Sequence, residues 1–136
     1  MVLTGVAALG LHAVVRPIRP SLALVAVVAG LVGFLAVAAM QALLVVKAVR
    51  FEQTFVAVLV CGTGIGLWLA LTSANLAATS VAPATHVALG IVSGMAYCLP
   101  ISLYLTVGQE HPAFYVGSLV GVLGYAGWAI WLSRLV

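Results

Sequence analysis

The amino-acid sequence predicts an all-α integral membrane protein, a bundle of four transmembrane helices preceded by one short apolar helix. Two observations carry this prediction. The 136 residues are 65% hydrophobic and only 5% charged, whereas soluble domains carry about 25% charged residues. The apolar residues are also grouped into runs long enough to cross a bilayer. A water-soluble fold would have almost no polar surface to present, so the chain belongs to the multi-pass membrane class.

The longest apolar run covers residues 21–46. It carries no charge, and Gln41 is its one strongly polar side chain. As a helix it would be roughly 39 Å long, which exceeds the hydrocarbon thickness of about 30 Å. Ser21 is the predicted N-cap of this span, because a serine hydroxyl can accept from a free amide of the first turn.

Three further runs predict spans over residues 54–74, 84–107 and 113–132, all within one domain covering residues 1–136. Residues 1–15 form a helix of about 22 Å, which is short of a full crossing. Whether they enter the membrane stays open. The polar stretch 75–83 is predicted as a loop.

Glycines four residues apart recur on three successive spans. Such spacing puts both glycines on one helix face and lets two helix backbones approach closely, which is how helices associate within a bilayer. The pattern predicts close packing within the bundle, or against partner proteins, through Gly62, Gly66, Gly90, Gly94, Gly117, Gly121 and Gly124.

Basic residues beside the spans predict the orientation. The side of the membrane that carries residues 16–20 is called face A, and the opposite side face B. Face A carries Arg16, Arg19 and Arg134, and face B carries Lys47 and Arg50. The positive-inside rule then makes face A, with the C-terminus, cytoplasmic. Richness in Ala, Val, Gly and Leu with a single lysine indicates a bacterial inner-membrane protein.

Asp, Glu, Lys and Arg are missing from the depth of every predicted span. Intramembrane charges usually mark proton relays and ion-coupled transport. The two acidic residues, Glu52 and Glu110, fall in predicted loops, so no carboxylate pair is available for acid–base catalysis. The basic residues flank apolar runs and form no nucleic-acid-binding stripe. We therefore expect no enzymatic activity, no cofactor, no metal and no nucleic-acid partner.

Two histidines are the candidate cofactor ligands. His12 and His86 are predicted in the leaflet next to face A, where a pair of imidazoles could ligate haem. The simpler interpretation is that both are ordinary residues at the headgroup boundary. His111 is predicted on the other side of the membrane.

A polar pocket is predicted at face A from Arg16, Trp68, Thr72, Asn75 and His86. It could receive a small molecule or a lipid headgroup, but such residues also commonly satisfy the free backbone groups of helix ends.

Two other features depend on proline and aromatic residues. Pro100 removes one hydrogen bond from the fourth span and is a candidate hinge, although such kinks also occur in passive bundles. Aromatic residues near span ends are predicted to form an interfacial belt: Tyr104, Tyr115, Trp128 and Trp131.

Several motifs occur in order from Arg16 onward. They are Arg-Pro-Ile-Arg-Pro at 16–20, Gly-Leu-Trp-Leu at 66–69, and the segments 83–94 and 124–132. In these the chain resembles an uncharacterised family of bacterial polytopic membrane proteins with about six spans. The resemblance implies a helical membrane fold and no assigned activity. It also implies that leading spans are missing here, which would make residues 1–15 the remnant of a longer helix.

The leading functional prediction is a non-enzymatic structural or accessory subunit that packs on partner membrane proteins, or on itself, through its glycine faces. One alternative is a transporter or channel-like protein that moves a neutral or lipidic solute as an oligomer. Another is a haem- or quinone-binding redox anchor that uses His12 and His86.

Overall fold

The protein folds entirely into α-helices in the part of the chain that the structure describes. The structure is a computed structural model covering residues 2–79 and 82–133, with side chains described from Ala7 onward. The helices are α1 (Val2–Val15), α2 (Pro20–Val45), α3 (Phe51–Leu76), α4 (Ala84–Val107) and α5 (Pro112–Leu132). Among these described helices, α2 to α5 are long and apolar enough to cross a membrane. The predicted class, a helical membrane bundle with a short N-terminal helix, is confirmed.

Helix α2 begins one residue earlier than expected. Pro20 occupies its first turn and Arg19 holds the N-cap position without a side-chain hydrogen bond, so the prediction of Ser21 as N-cap is wrong. Proline is favoured there because its fixed φ angle suits a first turn and its missing amide would be unpaired anyway. Arg134 is one of the basic residues from which the orientation is predicted, and it lies outside the described residues.

Helix α3 is longer at both ends than the sequence indicates. It starts at Phe51, where the side chain of Gln53 accepts a hydrogen bond of 2.8 Å from the Arg50 amide. It continues through Asn75 and Leu76, both buried, so the predicted polar loop begins later. Burial against neighbouring helices outweighs the local turn preference of the Ser–Ala–Asn sequence.

The helices pack in chain order, with α3 against α2, α4 against α3, and α5 against α4. Short connections force this antiparallel arrangement of neighbours. Helix α1 lies mainly on α2 and touches α3 more lightly. Helix α3 is therefore the centre of the bundle, and a gap remains between α1 and α5.

Backbone contact between α3 and α4 is made by one glycine from each helix. A Cβ built on Gly66 would lie 2.5 Å from the Gly94 carbonyl oxygen, and one on Gly94 would lie 2.5 Å from that of Gly66. The α2–α3 contact is similar: a Cβ on Gly33 would lie 2.8 Å from the Cys61 carbonyl oxygen. Only residues without a Cβ allow such approach.

The remaining glycines of the predicted packing pattern differ in their surroundings. Gly90 and Gly124 each face a serine of a neighbouring helix, and a Cβ built on Gly121 would lie 3.3 Å from the Ala96–Tyr97 backbone. A Cβ on Gly117 would meet Leu103 at 3.5 Å. Gly62 has no described atom near enough to meet a Cβ within 4 Å.

Pro100 lies inside a continuous α4 and is buried. It lines a small, half-open apolar cavity of about 170 Å³ together with Gly62, Val37 and Val122. These residues come from four different helices. The role of Pro100 as a hinge stays a prediction.

Candidate functional site

His86 and all three tryptophans of the sequence are joined in one series of ring contacts. The His86 ring stacks on Trp128 with centroids 5.3 Å apart. Trp131 meets the same imidazole edge-on at 5.1 Å, and Trp68 meets Trp128 edge-on at 5.8 Å. Offset-stacked and edge-to-face pairs are the favoured aromatic geometries. Three helices, α3, α4 and α5, thus supply one aromatic group.

Helical spacing brings the tryptophans of α5 to this group. The residues of its inner face recur at intervals of three and four, as one face of a helix requires: Phe114, Gly117, Gly121, Gly124, Trp128 and Trp131. Trp128 is only 1% exposed. Its predicted place in an interfacial belt is wrong, because it continues the glycine face inward. The sequence does indicate this burial, because Trp128 continues the three- and four-residue spacing of those glycines.

Polar atoms without partners converge beside Gly90. Ser73 Oγ, Trp128 Nε1 and both ring nitrogens of His86 are buried and have no hydrogen-bond partner in the described structure. A Cβ on Gly90 would lie 2.6 Å from Trp128 Nε1 and would overlap Ser73 Oγ. His86 lies one turn before Gly90 on the same face of α4. We call Ser73, His86, Gly90 and Trp128 the polar–aromatic cluster.

Unpaired polar groups of this kind are costly. A buried donor or acceptor without a partner costs about 1–3 kcal/mol. Three neighbouring side chains share that condition here, and each is at most 1% exposed. A cluster of unsatisfied groups in a native protein calls for a ligand, an ordered water or a functional role.

The α3 residues of the predicted polar pocket lie on a different face of that helix from Ser73. Trp68, Thr72 and Asn75 are spaced at four and three residues and so share a face of α3. Asn75 also has no hydrogen-bond partner among the described residues. Ser73 lies two positions away, about 200° around the helix, and it is Ser73 that meets Gly90 and Trp128.

Arg16 lies away from the cluster. It is exposed and lines a shallow depression of about 430 Å³ with His12, Pro20, Ser21 and Leu24. His12 Nδ1 is 3.1 Å from the Ala23 carbonyl oxygen, to which the Nδ1-protonated tautomer donates.

The two histidines therefore occupy separate settings. His12 is hydrogen-bonded to α2, and His86 packs against Trp128 and Trp131. The contacts of the described side chains include none between the two histidines. Within the described residues no group of three or more His, Cys, Asp or Glu could hold a metal ion. The ligand role of this pair stays a prediction without support from their contacts.

A larger cavity fills the gap between α1, α3 and α5. It measures about 520 Å³, is half open to the outside of the bundle, and is lined almost entirely by apolar atoms. Gly10 and Leu11 line one side, Tyr125 lines the other, and Trp68 and Trp128 also line it. The Ser133 hydroxyl, which also lines it, already donates to the Ile130 carbonyl at 2.7 Å. We call this space the lateral cavity.

Trp128 belongs to both sites, since it lines the lateral cavity and stacks on His86. An apolar space and a set of free hydrogen-bonding atoms thus share one side chain.

Comparison with known proteins adds no relative: no family model, curated protein or solved structure matches this chain. The resemblance to a six-span membrane family stays a prediction.

Proposed function

We propose that this protein is a non-enzymatic membrane protein that binds the apolar chain of a neutral lipidic molecule in its lateral cavity. The observation that carries the proposal is the cavity itself: about 520 Å³ of apolar space between α1, α3 and α5, open at the side of the bundle. Ligand pockets usually measure about 300–1,000 Å³.

The lining decides the chemistry of the occupant. Water needs two to four polar partners to settle in a cavity, and the walls here are glycine, alanine, leucine, valine and aromatic rings apart from one serine. A charged occupant would meet no counter-charge on these walls. An apolar chain that leaves the bilayer for this space exchanges one apolar environment for another, and it gains dispersion contacts with the cavity walls.

The packing of α1 provides the entrance. This helix rests mainly on α2, and its Gly10 has no described atom close enough to meet a Cβ within 4 Å. The side of the cavity between α1 and α5 therefore lies open beside the apolar length of α5. A chain can enter sideways from the bilayer without crossing a polar surface.

Quenching of tryptophan fluorescence by brominated acyl chains tests the proposal. Trp68 and Trp128 both line the lateral cavity, so a bromine atom comes close to their rings when a chain occupies it. We expect nanodiscs of dibrominated phosphatidylcholine to quench the wild-type protein strongly. Gly10→Leu, which fills the cavity from α1, should lose most of that quenching, because two of the three tryptophans line the space that it fills.

Gly127→Leu is the matched control. Gly127 is exposed on α5 and does not line the cavity. It should leave the quenching unchanged. Equal quenching of the wild type and Gly10→Leu, with both proteins folded, would show that no chain occupies the cavity.

We further propose a bacterial inner-membrane location with the C-terminus cytoplasmic, on the arginine distribution given above. An accessory role beside partner membrane proteins remains part of the proposal. Helix α5 supports it, because it is the least enclosed of the four long helices described. Gly66 and Gly94 give the accessory role no support, because they pack against each other between α3 and α4 of the same chain. Stoichiometric co-purification of another membrane protein would test that role.

A further inference from the structure

We propose that the chain bound in the lateral cavity is long and unbranched, with about 18 carbons, and that it runs past Tyr97 and Tyr125 into a second cavity. The second cavity is the half-open space of about 170 Å³ that Gly62 and Pro100 line. This inference rests on the proposed function and specifies the length and shape of the chain.

The two cavities follow each other along α3 and α5. On α3, Ile65 lines the second cavity and Trp68 lines the lateral cavity. On α5, Val122 lines the second cavity and Tyr125 lines the lateral cavity. The members of each pair are three residues apart, so they are neighbours on one side of their helix. The two spaces therefore lie next to each other in one cleft that α3 and α5 both border.

A pair of tyrosines forms the boundary between the two cavities. Tyr97 lines the second cavity, Tyr125 lines the lateral cavity, and their rings meet edge-on with centroids 6.1 Å apart. Both side chains are half-buried. A rotamer change of Tyr125 joins the two spaces while the helices stay in place, and side-chain changes of this size are common on binding.

The length of the cleft sets the length of the chain. On α5 its lining runs from Ser118 to Ser133, a distance of roughly 22 Å in a helix. An extended chain of single bonds advances about 1.2 Å per bond. About 18 carbons therefore reach from one end of the cleft to the other. A decanoyl chain ends within the lateral cavity, whose lining on α5 from Tyr125 to Ser133 covers about 12 Å.

The lining of the second cavity suits hydrocarbon. Its walls consist almost entirely of apolar atoms. The Ser118 hydroxyl, from a residue that also lines it, already donates to the Phe114 carbonyl at 2.8 Å. Apolar cavities of about 150 Å³ stay dry and admit a small hydrocarbon. The end of an apolar chain fits this space, and a polar head does not.

The second cavity is narrow, and Gly62 keeps it open. A Cβ built on Gly62 would meet no described atom within 4 Å, so a larger side chain at this position would enter the cavity. Val37, Val58 and Ile65 line the same space with branched side chains. Methyl branches on the ligand would widen it against these walls, because close-packed interiors leave little spare volume. A straight chain is therefore the fitting occupant.

Competition in nanodiscs tests the inference. Decanoyl and octadecanoyl monoacylglycerols are added at equal mole fraction in the bilayer, and native mass spectrometry reads the ratio of the two bound species. The probes share one neutral head and differ only in the length of the chain. We expect the wild type to prefer the octadecanoyl probe by about fivefold, as dispersion contacts of the additional carbons with the cavity walls allow.

Four variants locate the preference. Gly62→Leu fills the second cavity and leaves the lateral cavity free. Its ratio should fall to about one while the decanoyl probe stays bound, because the additional carbons lose their contacts. Val122→Phe fills the same space from α5 and should lower the ratio in the same direction. Gly10→Leu should lose both probes, and Gly127→Leu should keep the wild-type ratio. Each variant is first checked for an unchanged unfolding temperature.

The outcomes separate the two proposals. Equal binding of both probes by the wild type, with both lost in Gly10→Leu, would overturn the chain length and leave the proposed function intact. Binding of neither probe would overturn the proposed function as well. Loss of the decanoyl probe in Gly62→Leu would overturn the inference, since the short chain would then occupy the second cavity. A branched phytanoyl probe that binds as well as the octadecanoyl probe would overturn the unbranched shape.

Discussion

The α3–α4 contact and the α1–α5 gap show opposite uses of glycine in one bundle. At the α3–α4 contact, Gly66 and Gly94 lie opposite each other and the two backbones touch. At the gap, Gly10 on α1 faces empty space. Lipid removes the hydrophobic drive for helix association, so helices close up only where small residues from both sides meet at the same height. A glycine that meets no partner leaves an opening instead.

The largest loss of stability is expected from a substitution at the α3–α4 contact. Gly94→Val would push a branched side chain into the Gly66 carbonyl and the Ala70 backbone. Backbone cannot move aside as a side chain can, so we expect a loss of about 3 kcal/mol of unfolding free energy, the upper part of the range for overpacking. Denaturant titration in mixed micelles, read by circular dichroism, measures it. A loss below about 1 kcal/mol would show that the two helices are not in backbone contact.

An intermediate effect is expected at the polar–aromatic cluster. Gly90→Ala places a methyl group against Ser73 Oγ and Trp128 Nε1, both of which are side-chain atoms that can move. We expect a loss of about 1–2 kcal/mol and a shifted tryptophan emission maximum, because the Trp128 ring must turn. Ser73→Ala in the same chain should restore part of the stability. Without such rescue, Ser73 and Gly90 are not in contact.

The smallest effect is expected at glycines that face open space. Gly62→Ala and Gly10→Ala meet no described atom within 4 Å, and alanine is preferred to glycine within a helix by about 0.5–1 kcal/mol. We expect unchanged or slightly raised stability in the same titration. A loss comparable to that of Gly94→Val would mean that these glycines contact a neighbour, a second copy of the chain included.

Much of the site could be predicted from residue type and spacing, and some could not. Residue type alone makes His86 and Trp68 candidates, because polar and aromatic residues stand out in apolar spans. The position of Trp128 near the end of a span predicts the membrane interface, whereas its register with Gly124 points inward. Face A is common to Arg16 and His86, but a shared depth in the membrane does not fix the angle around the bundle.

The sequence by itself determined the class of this protein, its four long helices and its orientation of neighbours, since apolar length and short loops leave no other arrangement in a bilayer. Only the tertiary structure decided which glycines touch, that Ser73 lies beside Gly90 and Trp128, and that α1 and α5 stay apart. Those outcomes depend on the rotation and height of each helix against the next. The packing of particular side chains fixes the rotation and height of each helix, and an apolar composition alone does not.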